Sequence, residues 1–501
     1  MKARLAPHFQ QFFDFINVLH PLITDIKKAG GISYLVGGSV RDLVLGRELK
    51  DFDIEVHHLS LEELEKILAH HGPVMLVGKK FGVLRVVGYD VDWSLPRTDS
   101  KGRKPSVELD PAMTIEMACR RRDITMNAMA LNLNDVLEHR DDIVHKLEQS
   151  TVDVARVFDV IDPYGGLEDI KHKRLRAVDE ELFLEDPLRF YRVMQFVGRF
   201  DMDPDERLTM LCRSMNLYDT AADAPLANER IHEEIKKLLL KSYAPSKGFR
   251  WLLSLGRLQE IFPELHTLIG VPQPVNFHPE GDVFEHTMQA LDAAAQLSYY
   301  VDQEYMSAIE EKYMIMLAAL CHDLGKPITI DDQMHFYRHE DAGIPVVKRL
   351  LRKITGNKSL IDAVCKLVRC HLQAFTFLDQ GAKPAAYKRL AVRLAPDVTV
   401  RQLGLLALAD HQGTNPHGHE PLINKDHELY HQFLATAEKA TVAHGPEAPV
   451  LLGRHLLDVM APGPEMGRLL KEAYRIQLEE GLKDLDELKR RTLALCHDKE
   501  V

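Results

Sequence analysis

Two aspartates set one residue apart, Asp51 and Asp53, stand in the segment Lys50-Asp51-Phe52-Asp53-Ile54-Glu55-Val56. In an extended strand residues i and i+2 face the same side, so the two carboxylates project together. Adjacent carboxylates repel unless a cation lies between them, and magnesium takes one or two carboxylates together with substrate phosphates. The segment Tyr89-Asp90-Val91-Asp92-Trp93 repeats the spacing, and Asp92 on a neighbouring strand would complete a metal site. Upstream, Tyr34-Leu-Val-Gly37-Gly38-Ser39-Val-Arg41-Asp42 reads as a strand entering a Gly-Gly-Ser turn and then a helix. Such a turn leaves helix N–H groups pointing outward with the positive dipole end behind them, an arrangement that suits phosphate. Taken singly, the paired aspartates also fit an exposed polar strand face, and the glycines fit a tight turn.

A second set of chemistry-bearing residues lies in the later half. The apolar run Met314–Cys321 ends in His322-Asp323, followed at once by Leu-Gly-Lys. Imidazole and carboxylate are ligands for divalent metals, whereas a His-Asp pair alone is also a common helix terminus. Here His286, His339, His371 and Asp410 accompany it in the order H…HD…H…H…D. His278 and Glu280 are read either as part of the same pocket or as shaping a linker, the linker being preferred, and His411, His417 and His419 as solvent-facing loop residues.

The elements that must hold these groups fall into two kinds. Short apolar runs bounded by Gly, Pro or Asp (Ile32–Val36, Ile54–Val56, Val74–Val77, Val83–Val87) alternate with one clear helix, Leu61–His70, which predicts an α/β (α+β) head over 31–166. Residues 1–30 read as a helical extension. Residues 167–269 are amphipathic with helix stops at prolines, and the Pro/Gly-rich stretch 270–282 opens a second all-α block running to 415, with a charged helical tail over 416–501. The 501-residue chain is too long for one core at about 150 residues per domain. Its six cysteines form no CxxC pair, which fits a reducing cytoplasm, and no run approaches the ~18 apolar residues of a membrane span. A net charge of −12 argues against non-specific coating of nucleic acid. It leaves room for a local basic face, for which Lys171–Arg176 is the expectation.

Phosphate turn, paired aspartates and a third aspartate, in this order, resemble the nucleotidyltransferase head of the DNA polymerase β superfamily. Three further strings sharpen the likeness. Cys119-Arg-Arg-Arg-Asp-Ile-Thr-Met-Asn-Ala128 is similar to the RRDxTxNA signature of tRNA nucleotidyltransferases and bacterial poly(A) polymerases. Asp162-Pro-Tyr-Gly-Gly-Leu-Glu-Asp169 matches the segment closing that head, and Glu185-Asp-Pro-Leu-Arg-Phe-Tyr-Arg192 matches the EDxxR motif of the neck. Over residues 31–270 the chain resembles class II (bacterial-type) CCA-adding enzymes.

The resemblance implies a polymerase-β-like head with Asp51 and Asp53 holding two magnesium ions and Asp92 as a third carboxylate. Gly37, Gly38, Ser39 and Arg41 would lie against the triphosphate, and Arg122, Asp123 and Asn127 near the ribose. Asp186 and Arg189 would read CTP or ATP, supported by Arg192; tRNA would be the other substrate. For Asn228-Glu229-Arg230-Ile231, a weaker neck motif, the expectation is helix-turn stabilisation. The histidine pattern resembles HD-domain phosphohydrolases, with His286, His322, Asp323, His339, His371 and Asp410 as ligands of a divalent metal of unspecified identity. The resemblance implies phosphatase, 2′-nucleotidase and 2′,3′-cyclic phosphodiesterase activity in an all-α domain. Two other readings stand beside this one. A poly(A) polymerase would carry the same head, but its usual basic tail is not matched by the mixed-charge C-terminus. An HD hydrolase with a head kept only for RNA binding is disfavoured by the intact Asp51, Asp53, Asp186 and Arg189. Addition of the full CCA or of part of it would depend on a loop around Arg97–Asp110.

Overall fold

The computed structural model describes residues 5–49, 52–77, 82–99, 107–149, 153–219, 224–299, 307–424 and 427–497. Two compact units divide the chain, Met1–Ile231 and His232–Val501. The boundary falls inside the helix Asn228–Lys241, within the region read as a single neck.

The first unit is built on a mixed sheet. As far as the last strand of that sheet, its strands and main helices in chain order are α1 (Pro7–Lys28), β1 (Ile32–Val36), α2 (Gly38–Val44), β2 (Phe52–His57), α3 (Leu61–Ala69), β3 (Val74–Val77), β4 (Val83–Val86), β5 (Val91–Ser94), β6 (Arg97–Asp99), β7 (Val107–Leu109), α4 (Ile115–Arg120) and β8 (Ala130–Asn132). Six strands lie in the order β3-β4-β5-β2-β1-β8, with only β2 and β5 parallel, while β6 and β7 form a separate hairpin. Alternation along β2 sends Phe52, Ile54 and Val56 into the core and Asp53, Glu55 and His57 to the opposite face. The residues read as an N-terminal extension form α1, whose Phe12, Phe13, Ile16, Leu19 and Ile23 recur at helical spacing and are buried in the core behind the sheet. The α1 helix is therefore a layer of the head. α3 begins at a capping box, Ser60 with Glu63.

The named elements of the second unit are helical. Its centre is Ala308–Cys321, apolar on every side from Tyr313 onward and packed among Val283–Gln296, Lys358–Cys370 and Val400–Gln412. A helix with no polar face must be surrounded in this way, and its last turn can then deliver His322 and Asp323 to the interior. The C-terminal helices Pro464–Glu480 and Leu485–His497 close over a small core of Leu451, Leu456, Ala473, Ile476 and Leu488.

Candidate active sites in the head and in the helical unit

In the head, β1 runs into α2 through Gly37, whose φ of +72° is open to glycine and strained for other residues. A Cβ there would also stand 2.3 Å from Arg122 Nη1, so the turn and Arg122 occupy adjoining space. Arg41, one turn into α2, is buried and pairs with Asp42 at 2.8 Å, while its Nη1 donates to Asn127 Oδ1. Asn127 Nδ2 in turn donates to Asp123 Oδ1 at 3.0 Å, and Asp123 Oδ2 accepts from Arg192 Nε at 2.6 Å. Burial works against the Asp123 charge, but Arg192, Asn127 and Arg189 outweigh it and hold the carboxyl down at about 2. This chain of side chains joins the glycine turn, the RRDxTxNA segment and the helix Leu188–Phe200.

That helix carries Asp186 just ahead of its first turn and Arg189 and Arg192 on successive turns. Asp186 Oδ1 accepts from Leu188 N at 3.0 Å, and its Oδ2 lies 3.2 Å from Arg230 Nη2. Arg189 Nη2 donates to the Arg121 carbonyl at 2.6 Å, and its Nη1 is buried with no hydrogen-bond partner. Arg230, for which sequence suggested helix-turn stabilisation, thus sits against the carboxylate assigned to base reading.

Asp53 is exposed on β2 and stands directly beside Asp92 in the parallel β2–β5 register. Asp51 lies outside the described residues. Asp92 is engaged by Arg85 of β4, which donates from Nε at 2.8 Å and Nη2 at 2.5 Å. For Asp92 to serve as a third metal ligand, Arg85 must swing away. Below Asp53 the same face continues with Glu55, which accepts from His57 Nε2 at 3.1 Å, both buried. Period-two reading of β2 beyond Asp53 would have placed Glu55 in this row.

The Lys171–Arg176 cluster, expected to face tRNA, is taken up in ion pairs. Arg174 and Arg176 grip the fully buried Asp169 at 2.6 and 2.9 Å, Lys173 pairs with Asp201 at 3.0 Å, and Lys171 lies 3.7 Å from Glu168. Asp162 caps Gly166 and Leu167, so the DPxxGxxD segment is an anchor for the fold. Part of the loop around Arg97–Asp110 lies outside the described residues.

In the helical unit the six expected ligands converge. His322 Nδ1 faces the Ala319 carbonyl at 2.8 Å, His339 Nδ1 that of Phe336 at 2.9 Å, and His371 Nδ1 that of Val368 at 2.7 Å. His286 Nδ1 lies 3.1 Å from the Gly413 carbonyl and 2.8 Å from Glu280 Oε1. Carbonyls and carboxylates accept, so each Nδ1 holds a proton, and in the neutral, ligating imidazole each Nε2 presents a lone pair. Those lone pairs point inward at one another: His286 Nε2 is 3.1 Å from His322 Nε2, and His339 Nε2 is 3.3 Å from His371 Nε2. Two acceptors at such distances repel unless a cation lies between them, so this donor set fits a divalent metal.

Asp323 lies between the two pairs, Oδ2 at 3.2 Å from His322 Nε2 and Oδ1 at 3.3 Å from His339 Nε2, and neither oxygen has a well-directed hydrogen bond. Asp410 Oδ1 is 3.0 Å from His286 Nε2. The ligand atoms form two groups, His286 with His322 and Asp410, and Asp323 with His339 and His371. Burial lowers His286, yet Asp410 and Glu280 pull it up to about 10, so a cation binding there displaces a proton from its Nε2; burial and His322 push His371 down to about 4, which keeps its imidazole neutral. Gly325 permits this packing, since a Cβ there would meet the His339 carbonyl at 1.9 Å.

His278 and Glu280 belong to this centre and not merely to a linker. Glu280 bonds both His278 Nδ1, at 2.9 Å, and His286 Nδ1, the pattern of a carboxylate that orients a ligating histidine. Lys326 Nζ, buried, reaches Asp323 Oδ2 at 2.7 Å and Gln273 Oε1 at 2.6 Å. Spacing alone carries no signal for Gln273, which arrives from an irregular segment.

Residues 33–176 match the poly A polymerase head domain, 224–269 the probable RNA and SrmB-binding site of polymerase A, and 283–410 the HD domain. Fold and sites together define a nucleotidyltransferase of the poly(A) polymerase-head class that carries an HD domain. A multifunctional CCA protein of Pasteurella multocida is 31% identical over 74% of this chain and 84% of its own length. One from Mannheimia succiniciproducens is 30% identical over 83% and 92%. The chain belongs to the multifunctional CCA protein family. Its fold is shared with the Bacillus stearothermophilus CCA-adding enzyme solved with CTP (TM-score 0.59, 20% identity, 98% and 99% coverage). It is also shared with the Thermotoga maritima CCA-adding enzyme solved with tRNA (0.54, 18%, 96% and 95%). No helix among the described residues is long and apolar enough to cross a membrane.

Proposed function

We propose that this chain adds or repairs the 3′-terminal CCA of tRNA from CTP and ATP, and that its HD centre hydrolyses phosphate esters. The observation that carries the first part is the chain Arg41–Asn127–Asp123–Arg192, which fixes the glycine turn and the EDxxR helix to one framework. On this reading Asp51 and Asp53 hold magnesium, and Asp53 beside Asp92 on adjacent strands is a donor set suited to it. When bound, the metal pair lowers the pKa of the attacking 3′-hydroxyl and neutralises the triphosphate and the pyrophosphate that leaves.

The protein's own share is placement. Gly37, Gly38 and Ser39 let the triphosphate approach the backbone, and Arg122 beside the turn supplies charge near the ribose. Asp186 and Arg189 offer acceptors and fixed donors to the base edge, which suits discrimination between CTP and ATP. Arg230 positions Asp186, and Arg192, held by Asp123, positions the helix that carries both.

In the HD centre His286, His322 and Asp410, together with Asp323, His339 and His371, would hold divalent metal, which would activate water and neutralise charge on a phosphate ester. His278 and Glu280 orient His286, and Lys326 lends a positive charge to an incoming phosphate. The setting of both activities is the cytoplasm. Incubating the purified protein with tRNA lacking CCA, CTP, ATP and magnesium, followed by end sequencing, tests the transferase: addition of three nucleotides is expected. Long A tails on generic RNA with ATP alone would replace this reading with a poly(A) polymerase.

A further inference from the structure

Phe200, the last residue of the helix Leu188–Phe200, is buried, and three guanidinium groups gather on its ring. The guanidinium carbons of Arg41, Arg47 and Arg199 lie 4.5, 4.6 and 4.7 Å from the ring centroid. An aromatic face attracts a cation, but one ring has two faces to offer three of them. Because all three carbons stand within 4.7 Å of one point, no two are more than about 9.4 Å apart. That separation is inside the Debye length of about 10 Å at 0.1 M salt, so the three charges repel one another.

Carboxylate cover does not extend to Arg47. Asp42 Oδ1 accepts from Arg41 Nε at 2.8 Å, and Asp42 Oδ2 lies 3.4 Å from Arg199 Nη2. Arg47, half-buried, pairs with no carboxylate among the described residues. Its backbone N–H donates to the Asp42 carbonyl at 2.8 Å, which fixes the turn from which the side chain reaches the ring. A guanidinium held beside two others and partly open to solvent is short of an anion, and its fork matches the oxygens of a phosphate. The cluster also adjoins the glycine turn, since a Cβ on Gly38 would stand 3.2 Å from Arg41 Nη2.

In the transferase reading the glycine turn is taken by the triphosphate. The other phosphates that must come to this head belong to the RNA strand whose 3′-hydroxyl is extended. Arg47 precedes Asp53 by six residues, a chain reach of at most about 22 Å. Stacked nucleotides rise about 3.4 Å each, so that reach covers about six of them. We propose that Arg47, with Arg199 beside it on the Phe200 ring, clamps one backbone phosphate of the RNA within about six nucleotides of its 3′ end. The inference rests on the head being a tRNA nucleotidyltransferase. It assigns an RNA contact to two residues outside the glycine turn, the strand aspartates and the base-reading pair.

The test measures equilibrium binding of the full-length protein to tRNA lacking CCA and, separately, to CTP, over a series of potassium chloride concentrations. Arg47→Met keeps an apolar side chain for Phe200 and removes the charge. It is expected to weaken tRNA binding roughly tenfold at low salt, as for one charged contact. The slope of log Kd against log salt should fall by about 0.7 to 0.9, and CTP binding should be unchanged. Arg47→Lys should keep the wild-type slope and lose part of the affinity, because it retains the charge without the fork. Adding Arg199→Met to Arg47→Met should lower the slope no further; a second fall would mean two phosphates and overturns the shared clamp. An unaltered slope in Arg47→Met overturns the proposal, whether or not affinity and Tm fall through lost packing. Weaker CTP binding with tRNA binding intact moves the contact to the triphosphate and overturns the RNA assignment. Wild type that binds no tRNA defeats the transferase reading, and the clamp with it.

Discussion

Asp123 accepts three hydrogen bonds, from Ile124 N at 2.9 Å and Asn127 Nδ2 at 3.0 Å on Oδ1 and from Arg192 Nε at 2.6 Å on Oδ2. In Asp123→Asn one of those oxygens becomes an NH₂, so at least one donor faces a donor and Arg192 loses its anionic partner. The folded carboxyl is held at about 2, against an ordinary value of 3.8. A folded pKa below the unfolded one stabilises the fold above the unfolded pKa, and that gain disappears as pH falls through the folded value. At about 1.4 kcal/mol per pKa unit, the charge contributes about 2 kcal/mol at pH 7. About half of this remains at pH 3, and almost none below pH 2. Urea unfolding followed by Trp93, buried in β5, in a Trp251→Phe background reads the head alone. Asp123→Asn should lose about 2 kcal/mol at pH 7 and distinctly less at pH 3. Nucleotide addition should fall more than about tenfold, as expected when a buried ion pair that positions a binding helix is broken. An equal stability loss at both pH values, or a loss below about 0.5 kcal/mol, would refute the electrostatic account of this linkage.

Three further outcomes are expected. Manganese at one hundred times its Kd should stabilise the helical unit by about 2.7 kcal/mol, a rise in Tm of about 5 °C that EDTA reverses; His322→Ala and His371→Ala should each abolish most of it, and a shift retained in both would exclude the histidine cluster as the site. Arg85→Ala should cost less than about 1 kcal/mol because the Arg85–Asp92 pair is partly exposed. The same change should lower the magnesium concentration for half-maximal addition, which would be unaltered if Asp92 is never a ligand. Gly37→Ala, strained at φ +72° and crowded by Arg122, should cost more than about 1 kcal/mol and most of the activity, whereas Gly356→Ala, with open space around it, should change neither.

Much of both sites was legible because their residues sit at regular spacing. The period of two places Asp53 opposite the core, and the ends of apolar helices place His322 and His371. The parts that escaped sequence reading depend on tertiary approach. Arg85 reaches Asp92 from an adjacent antiparallel strand, and Arg230 meets Asp186 across 44 positions of chain. Gln273 comes from an irregular segment in which no periodicity operates. The ion pairs of the Lys171–Arg176 cluster were not legible because composition records charge and not partners; Asp169, fully buried, pairs with two of those arginines, which stay partly exposed. The N-terminal helix appeared separable because its apolar stripe is visible in sequence while the sheet it covers is not.

The account depends most on the strand aspartates. Wild type, Asp53→Ala and the Asp51→Ala, Asp53→Ala double variant should be incubated with tRNA lacking CCA, CTP, ATP and magnesium, and the 3′ ends sequenced, with circular dichroism to verify folding. Full addition by wild type and none by folded variants is the expected result. Addition that persists in the folded double variant would contradict the assignment of nucleotidyl transfer to this strand.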